Sequence, residues 1–246
     1  MPGLILAVCL SLLGPLSTST GVPEGTTQYE VRYKWGVLDT RVANGQIIIS
    51  KDEWNGQTAM HTVFSLRATP FFRLFMAEDY WMELFVSPDG TLPLSSHSPI
   101  RAKGKECDFD VLYKQKERVA ESHTVSAKES VHRTFSLDDG AMDLLALFHY
   151  MQNLDISRMD KGQSISLQVI MPRSVAPVLL HYEGMDSVPF SEEPCHLFLM
   201  QFTGRGVMEN KSGNTVHLWM STGPDRQLIM LTIPLNNGLM IARIKR

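Results

Sequence analysis

The side chains in this 246-residue chain that could carry acid–base, nucleophilic or metal chemistry are few and dispersed. His61, His97, His123, His132, His149, His181, His196 and His217 are scattered, and none has a local partner at the spacing of a zinc site. There is no HExxH, no GxSxG, no Walker loop and no dinucleotide glycine fingerprint. Cys195 and His196 are adjacent, which on a strand sends them to opposite faces. The sequence therefore nominates no catalytic residue, no metal ligand and no cofactor. A hydrolase site assembled from distant strands stays open as an alternative, because such sites are spatial rather than sequential.

The positive signal is apolar. Phe71, Phe72, Phe75 and Trp81 belong to an aromatic segment that could line the mouth of a β-barrel or cover it. Leu144, Phe148 and Met151 recur at helical spacing and could face the same space. Plain core filling is the competing reading for both sets. The 14 methionines suit an adaptable apolar surface and equally an ordinary core. His149, beside Tyr150, could point into a cavity beneath the helix, but a flank position against solvent or a strand carbonyl is the favoured expectation.

The elements that must position these residues are mostly strands. Tyr29, Val31, Tyr33 and Trp35 alternate with Glu30, Arg32 and Lys34, the pattern of a half-buried strand. A second strand is expected at 46–50 after a turn at Asn44-Gly45, with the next turn at Asn55-Gly56. Thr69-Pro70 opens a short apolar helical segment. Polar strands with one wet face fill 91–135, which favours antiparallel pairing. One apolar helix is expected from about Gly140 to Asn153, capped by Asp138 or Asp139 and lying on the concave face of the sheet. Strand patterns resume after Gly162, giving about a dozen strands in all.

Leu4 to Leu16 is uncharged and too short for a bilayer span, and Ser17 to Gly21 are small residues. Residues 1–21 are expected to be a cleaved signal peptide and 22–246 a single β-rich domain. No lysine or arginine precedes the apolar run. Removal of Cys9 leaves Cys107 and Cys195, either as a disulfide or as two separate buried thiols. With 23 basic and 26 acidic residues spread along the chain there is no basic stripe, so nucleic acid is not an expected partner.

Several landmarks together resemble a bacterial family of exported proteins of unknown function, DUF3108, in a form similar to its Bacteroidetes members. They are Tyr29, Trp35-Gly36 and Gly45 near the start, the helix Leu144–Tyr150 after Asp143, and Trp219-Met220-Ser221 followed by Arg226 and Gly238 near the end. Two departures are Leu145 and Met151 where the family tends to carry Ser and Arg, and Thr222-Gly223 where it favours Asp-Asp. The resemblance implies a mostly β, α+β fold: an antiparallel, partly open barrel or half-barrel wrapped around one main helix, similar in outline to periplasmic lipoprotein carriers of the LolA and LolB kind. It supplies no activity.

The function expected on these grounds is a non-enzymatic protein of the periplasm or cell envelope that holds an apolar ligand or lipidated partner. A lipid, a lipoprotein or another envelope protein would be the partner, with no transmembrane anchor in the mature chain. The competing expectation is a periplasmic structural or protein-interaction module that uses an exposed sheet edge.

Overall fold

The computed structural model describes residues 24–72, 80–102, 105–172, 174–203 and 215–245. The expected signal peptide and Phe75 lie outside the described residues. Eight strands come first: β1 (Gly25–Trp35), β2 (Leu38–Trp54), β3 (Gln57–Ala68), β4 (Tyr80–Val86), β5 (Pro93–Ala102), β6 (Lys105–Lys114), β7 (Val119–Ser126) and β8 (Ser130–Ser136). A two-residue strand β9 (Ala141–Met142) leads into the helix α1 (Leu144–Asn153). The second half is β10 (Ser164–Ile170), β11 (Val175–Asp186), β12 (Cys195–Phe202), β13 (Thr215–Ser221), β14 (Leu228–Leu235) and β15 (Gly238–Ile244). Among the described residues no helix is long and apolar enough to cross a membrane.

All fifteen strands form one sheet in the order β8-β7-β6-β5-β4-β3-β2-β1-β15-β14-β13-β12-β11-β10-β9. This is an up-and-down meander bent into a nearly closed barrel, in which the first strand pairs with the last. Every pairing is antiparallel except the short parallel one between β9 and β10. The ladder is interrupted only between β8 and β9, the two edges of the sheet. Across that seam the Thr124 hydroxyl on β7 donates to the Pro172 carbonyl beyond β10 at 2.8 Å. The two edge strands are not paired with each other, but this contact holds the two margins of the sheet side by side.

Alternation sets the faces. On β6, Cys107, Phe109, Val111 and Tyr113 are buried while Asp108, Asp110 and Leu112 face outward. Asn44-Gly45 is not a turn: β2 runs through it, and the turn falls at Gly36-Val37 instead. Gly45 is there because it sits opposite Tyr29, where a Cβ would stand only 3.3 Å from the tyrosine Cβ. Cys107 and Cys195 form no disulfide. They sit on β6 and β12, far apart around the ring, and both thiols are buried.

The helix starts four residues later than its apolar pattern suggests. Leu137–Asp139 form a 3-10 turn, Ala141 and Met142 pair with β10, and Asp143 is the cap in place of Asp138 or Asp139. The apolar stripe is therefore shared between a strand and a helix. Inside the barrel α1 separates two apolar clusters. Leu145 and Ala146 pack with Tyr29, Leu84 and Phe109 on one side. Leu147 and Met151 pack with Val178, Phe198 and Leu218 on the other. Each buried aliphatic side chain of this size contributes roughly 1.5–3 kcal/mol, so the helix is held by both walls.

Candidate functional site

Between α1 and the sheet lies a partly open cavity of about 250 Å³. One wall is Ile47, Phe64 and Met82 from β2, β3 and β4; Phe64 and Met82 are direct cross-strand partners. The opposite wall comes from β12, β13 and β14, with Met200, Phe202, Val216 and Leu218 among its residues. The helix contributes Leu144, Leu145, Leu147, Phe148 and Met151. Among the described residues no polar side chain lines the space. Leu144 is 49 % exposed although it points into the barrel, so the cavity communicates with solvent. Most of the wall residues lie toward the barrel end that carries the β1–β2 and β14–β15 hairpins.

The expected lining residues divide. Leu144, Phe148 and Met151 line the cavity. Trp81 does not, because it alternates with the inward Met82 and sits on the outer face with its ring edge against His97. Phe72 packs against Val31, Val42 and Ala43 near the barrel end, and Phe71 is 64 % exposed. Sequence reasoning missed the strand contributions, Phe64, Phe202 and Val216 above all. Their inward parity was readable strand by strand, but which strands would face one helix was not.

Asp143 and His149, at the start of the helix and on it, are bonded to buried polar side chains of the surrounding strands. Asp143 is buried, and its Oδ1 accepts from the amides of Leu145 at 2.8 Å and Ala146 at 3.0 Å. Its Oδ2 accepts from the Ser96 hydroxyl at 2.7 Å and the Tyr113 hydroxyl at 2.5 Å. The Tyr113 oxygen in turn accepts from the Asp143 amide at 2.8 Å. Burial, and then the neighbouring carboxylate, push the Tyr113 phenol well above its ordinary range. This cluster joins the start of α1 to β5 and β6.

His149 departs from expectation. It is not on a solvent-facing flank but only 3 % exposed, with Nε2 at 2.6 Å from the Thr62 hydroxyl on β3. Burial lowers its pKa to about 4. An unfolded imidazole binds its proton near 6.5, so between those values the unfolded chain holds the extra proton. Stability should be complete above about pH 6.5 and fall progressively toward pH 4. The expected loss is on the order of 3 kcal/mol. Urea titrations at pH 7 and pH 4.5 should show His149→Gln losing clearly less than the parent protein. Equal losses would remove His149 as the cause.

The remaining histidines lie outside the cavity lining. His61 bridges Asp52 at 3.3 Å and Glu83 at 3.0 Å, and His97 meets Asp110 at 2.6 Å. His123 stacks on His132 with ring centroids 3.8 Å apart. Tyr182 bonds His196, and Ser164 bonds His181. Among the described residues no three His, Cys, Asp or Glu side chains converge to hold a metal ion. The arrangement as a whole can sequester apolar matter, and among the described residues the cavity lining holds no histidine or acid.

No curated protein matches the chain. Among solved structures it is similar to a β-barrel-like protein of the domain of unknown function DUF1849 from Brucella abortus. The TM-score is 0.56 at 9 % identity, over 92 % of this chain and 98 % of that one, a likeness of fold alone. The family model described as "Protein of unknown function (DUF3108)" matches residues 28–244. The span runs from β1 through β15, and so the chain belongs to the DUF3108 family.

Proposed function

We propose that this protein binds a single apolar chain in the cavity beside α1, without transforming it, and does so in the cell envelope. What carries the binding reading is a half-open space of about 250 Å³ whose lining, among the described residues, is apolar. An apolar void of ~150 Å³ stays dry and takes up benzene. Allowing each methylene roughly the 30 Å³ of a water, the space holds about eight of them. The occupant is then one medium-length alkyl or acyl chain rather than a whole two-chain lipid. At about 0.8 kcal/mol per buried methylene, eight of them supply roughly 6 kcal/mol, so tens of micromolar is the tightest affinity expected and association costs weaken it from there. Export is supported by the uncharged run Leu4–Leu16 and the small residues after it.

The test is fluorescence titration with the neutral probe N-phenyl-1-naphthylamine, competed by decanol and by decanoic acid, together with native mass spectrometry of protein from its own host. Saturable probe uptake and displacement by decanol are expected. A probe that stays quenched at millimolar protein, with no co-purified mass, would overturn the reading. Recovery of the protein from the cytosol with residues 1–21 intact would overturn the location.

A further inference from the structure

The β1–β2 connection is a two-residue hairpin loop, Gly36-Val37, closed by the Trp35–Leu38 pair. Gly36 has φ 55, which suits the first central position of a type II′ turn. The geometry asks for that glycine but not for its neighbours. Two other two-residue hairpins in the chain carry Asn55-Gly56 and Asn236-Asn237 at their tips. The β1–β2 tip instead presents Trp35 at 61 % exposure, Leu38 at 51 % and a fully exposed Val37.

Two further observations give this tip a direction and a charge. It projects from the barrel end toward which most of the cavity wall lies. Below it, on the outer face of β1, β2 and β3, stand the exposed cations Lys34, Arg41 and Arg67. Among the described residues none of the three has an ion-pair partner, whereas nearby Asp39 is already held by Arg32 at 2.7 Å. Exposed aliphatics with a tryptophan at their base and basic residues behind match the layers of a bilayer surface: hydrocarbon, interface and anionic headgroups.

We infer that the β1–β2 tip inserts into the interface of an anionic lipid bilayer and turns the cavity end of the barrel toward it. This deepens the reading above by naming the bilayer as the source of the bound chain. The tip residues do not line the cavity, so the two proposals can fail separately.

The experiment uses the full chain with Cys9→Ser, carrying a nitroxide at Val37→Cys or, at the opposite barrel end, at Asn55→Cys. Cys107 and Cys195 are buried and escape labelling. Vesicles of phosphatidylglycerol and phosphatidylethanolamine should shield position 37 from an aqueous nickel relaxant and expose it to oxygen, while position 55 stays aqueous. Phosphatidylcholine vesicles should do much less. Adding Trp35→Ser and Leu38→Ser should cut the inserted fraction about tenfold or more, with probe binding in the cavity unchanged. Lys34→Glu with Arg67→Glu should abolish the preference for anionic lipid. The inference is overturned if position 37 stays aqueous or if both ends respond alike, as anchoring through the N-terminal segment would produce. It is equally overturned if position 37 is shielded without vesicles while the mass doubles, which would make a second copy the occupant.

Discussion

Replacing Asp143 with alanine is expected to lower the unfolding free energy by roughly 3–5 kcal/mol. Loss of a helix cap alone costs about 1 kcal/mol, with a range of roughly 0.5–2. Here the same carboxylate also accepts from Ser96 and Tyr113, both buried. Truncation leaves those two hydroxyls without their acceptor in a site closed to water, at about 1–3 kcal/mol for each group left unsatisfied. The contributions are not additive because the donors share one acceptor, so the expected value lies below their sum. Asp143→Asn should be harmful too: it preserves an oxygen for the helix amides but turns an NH2 toward two hydroxyls. Asp138→Ala, at the position the bare sequence offered as a cap, should leave stability unchanged, since the Asp138 carboxylate meets the exposed Arg118 and the amide that bonds Ser136 is kept. Urea unfolding followed by fluorescence measures all three. An Asp143→Ala loss below about 1 kcal/mol would mean the cluster does not hold the helix.

Leu144→Trp should weaken uptake of the apolar probe about tenfold or more, which is about 1.4 kcal/mol or more of binding free energy, while leaving the unfolding midpoint nearly unmoved. Leu144 is the cavity-lining helix residue with the most open space around it, so a larger ring there occupies the void instead of straining the walls. Met151→Ala provides the contrast. Met151 is buried between α1 and the β10–β14 wall, and its truncation should cost about 2–5 kcal/mol of stability while enlarging the cavity. If Leu144→Trp binds the probe as the parent does, the probe is not in this cavity. If both variants lose stability alike, Leu144 belongs to the core and the cavity reading fails with it.

Residue alternation made the walls legible. Every second residue of β6 being apolar, Cys107 to Tyr113, follows from a pleat with one dry face, and the structure keeps that parity. The same argument failed where apolar residues could satisfy two periods at once. Ala141 and Met142 fit the helical stripe of the residues after them, yet they pair with β10 because the chain must reach the sheet before Asp143 can turn it inward. Asn44-Gly45 has turn composition, but the need at that point was a missing Cβ opposite Tyr29. Trp81 shows the limit of composition most directly: aromatic content placed it near a ligand, and the parity of β4 sends it outward.

From its residues alone this protein was determined to be an antiparallel β structure with one greasy helix, and its family could be read in a few spaced landmarks. Those features depend on neighbours a few positions apart, where hydrogen-bond pattern and side-chain direction repeat regularly. Only the tertiary structure decided that β1 pairs with β15 to join the two halves of the sheet, that His149 is sealed against Thr62, and that β2–β4 and β12–β14 leave a void across the helix. Each of these joins residues far apart in the chain. Packing brings them together through the sum of many weak contacts, and no short stretch of sequence records that sum.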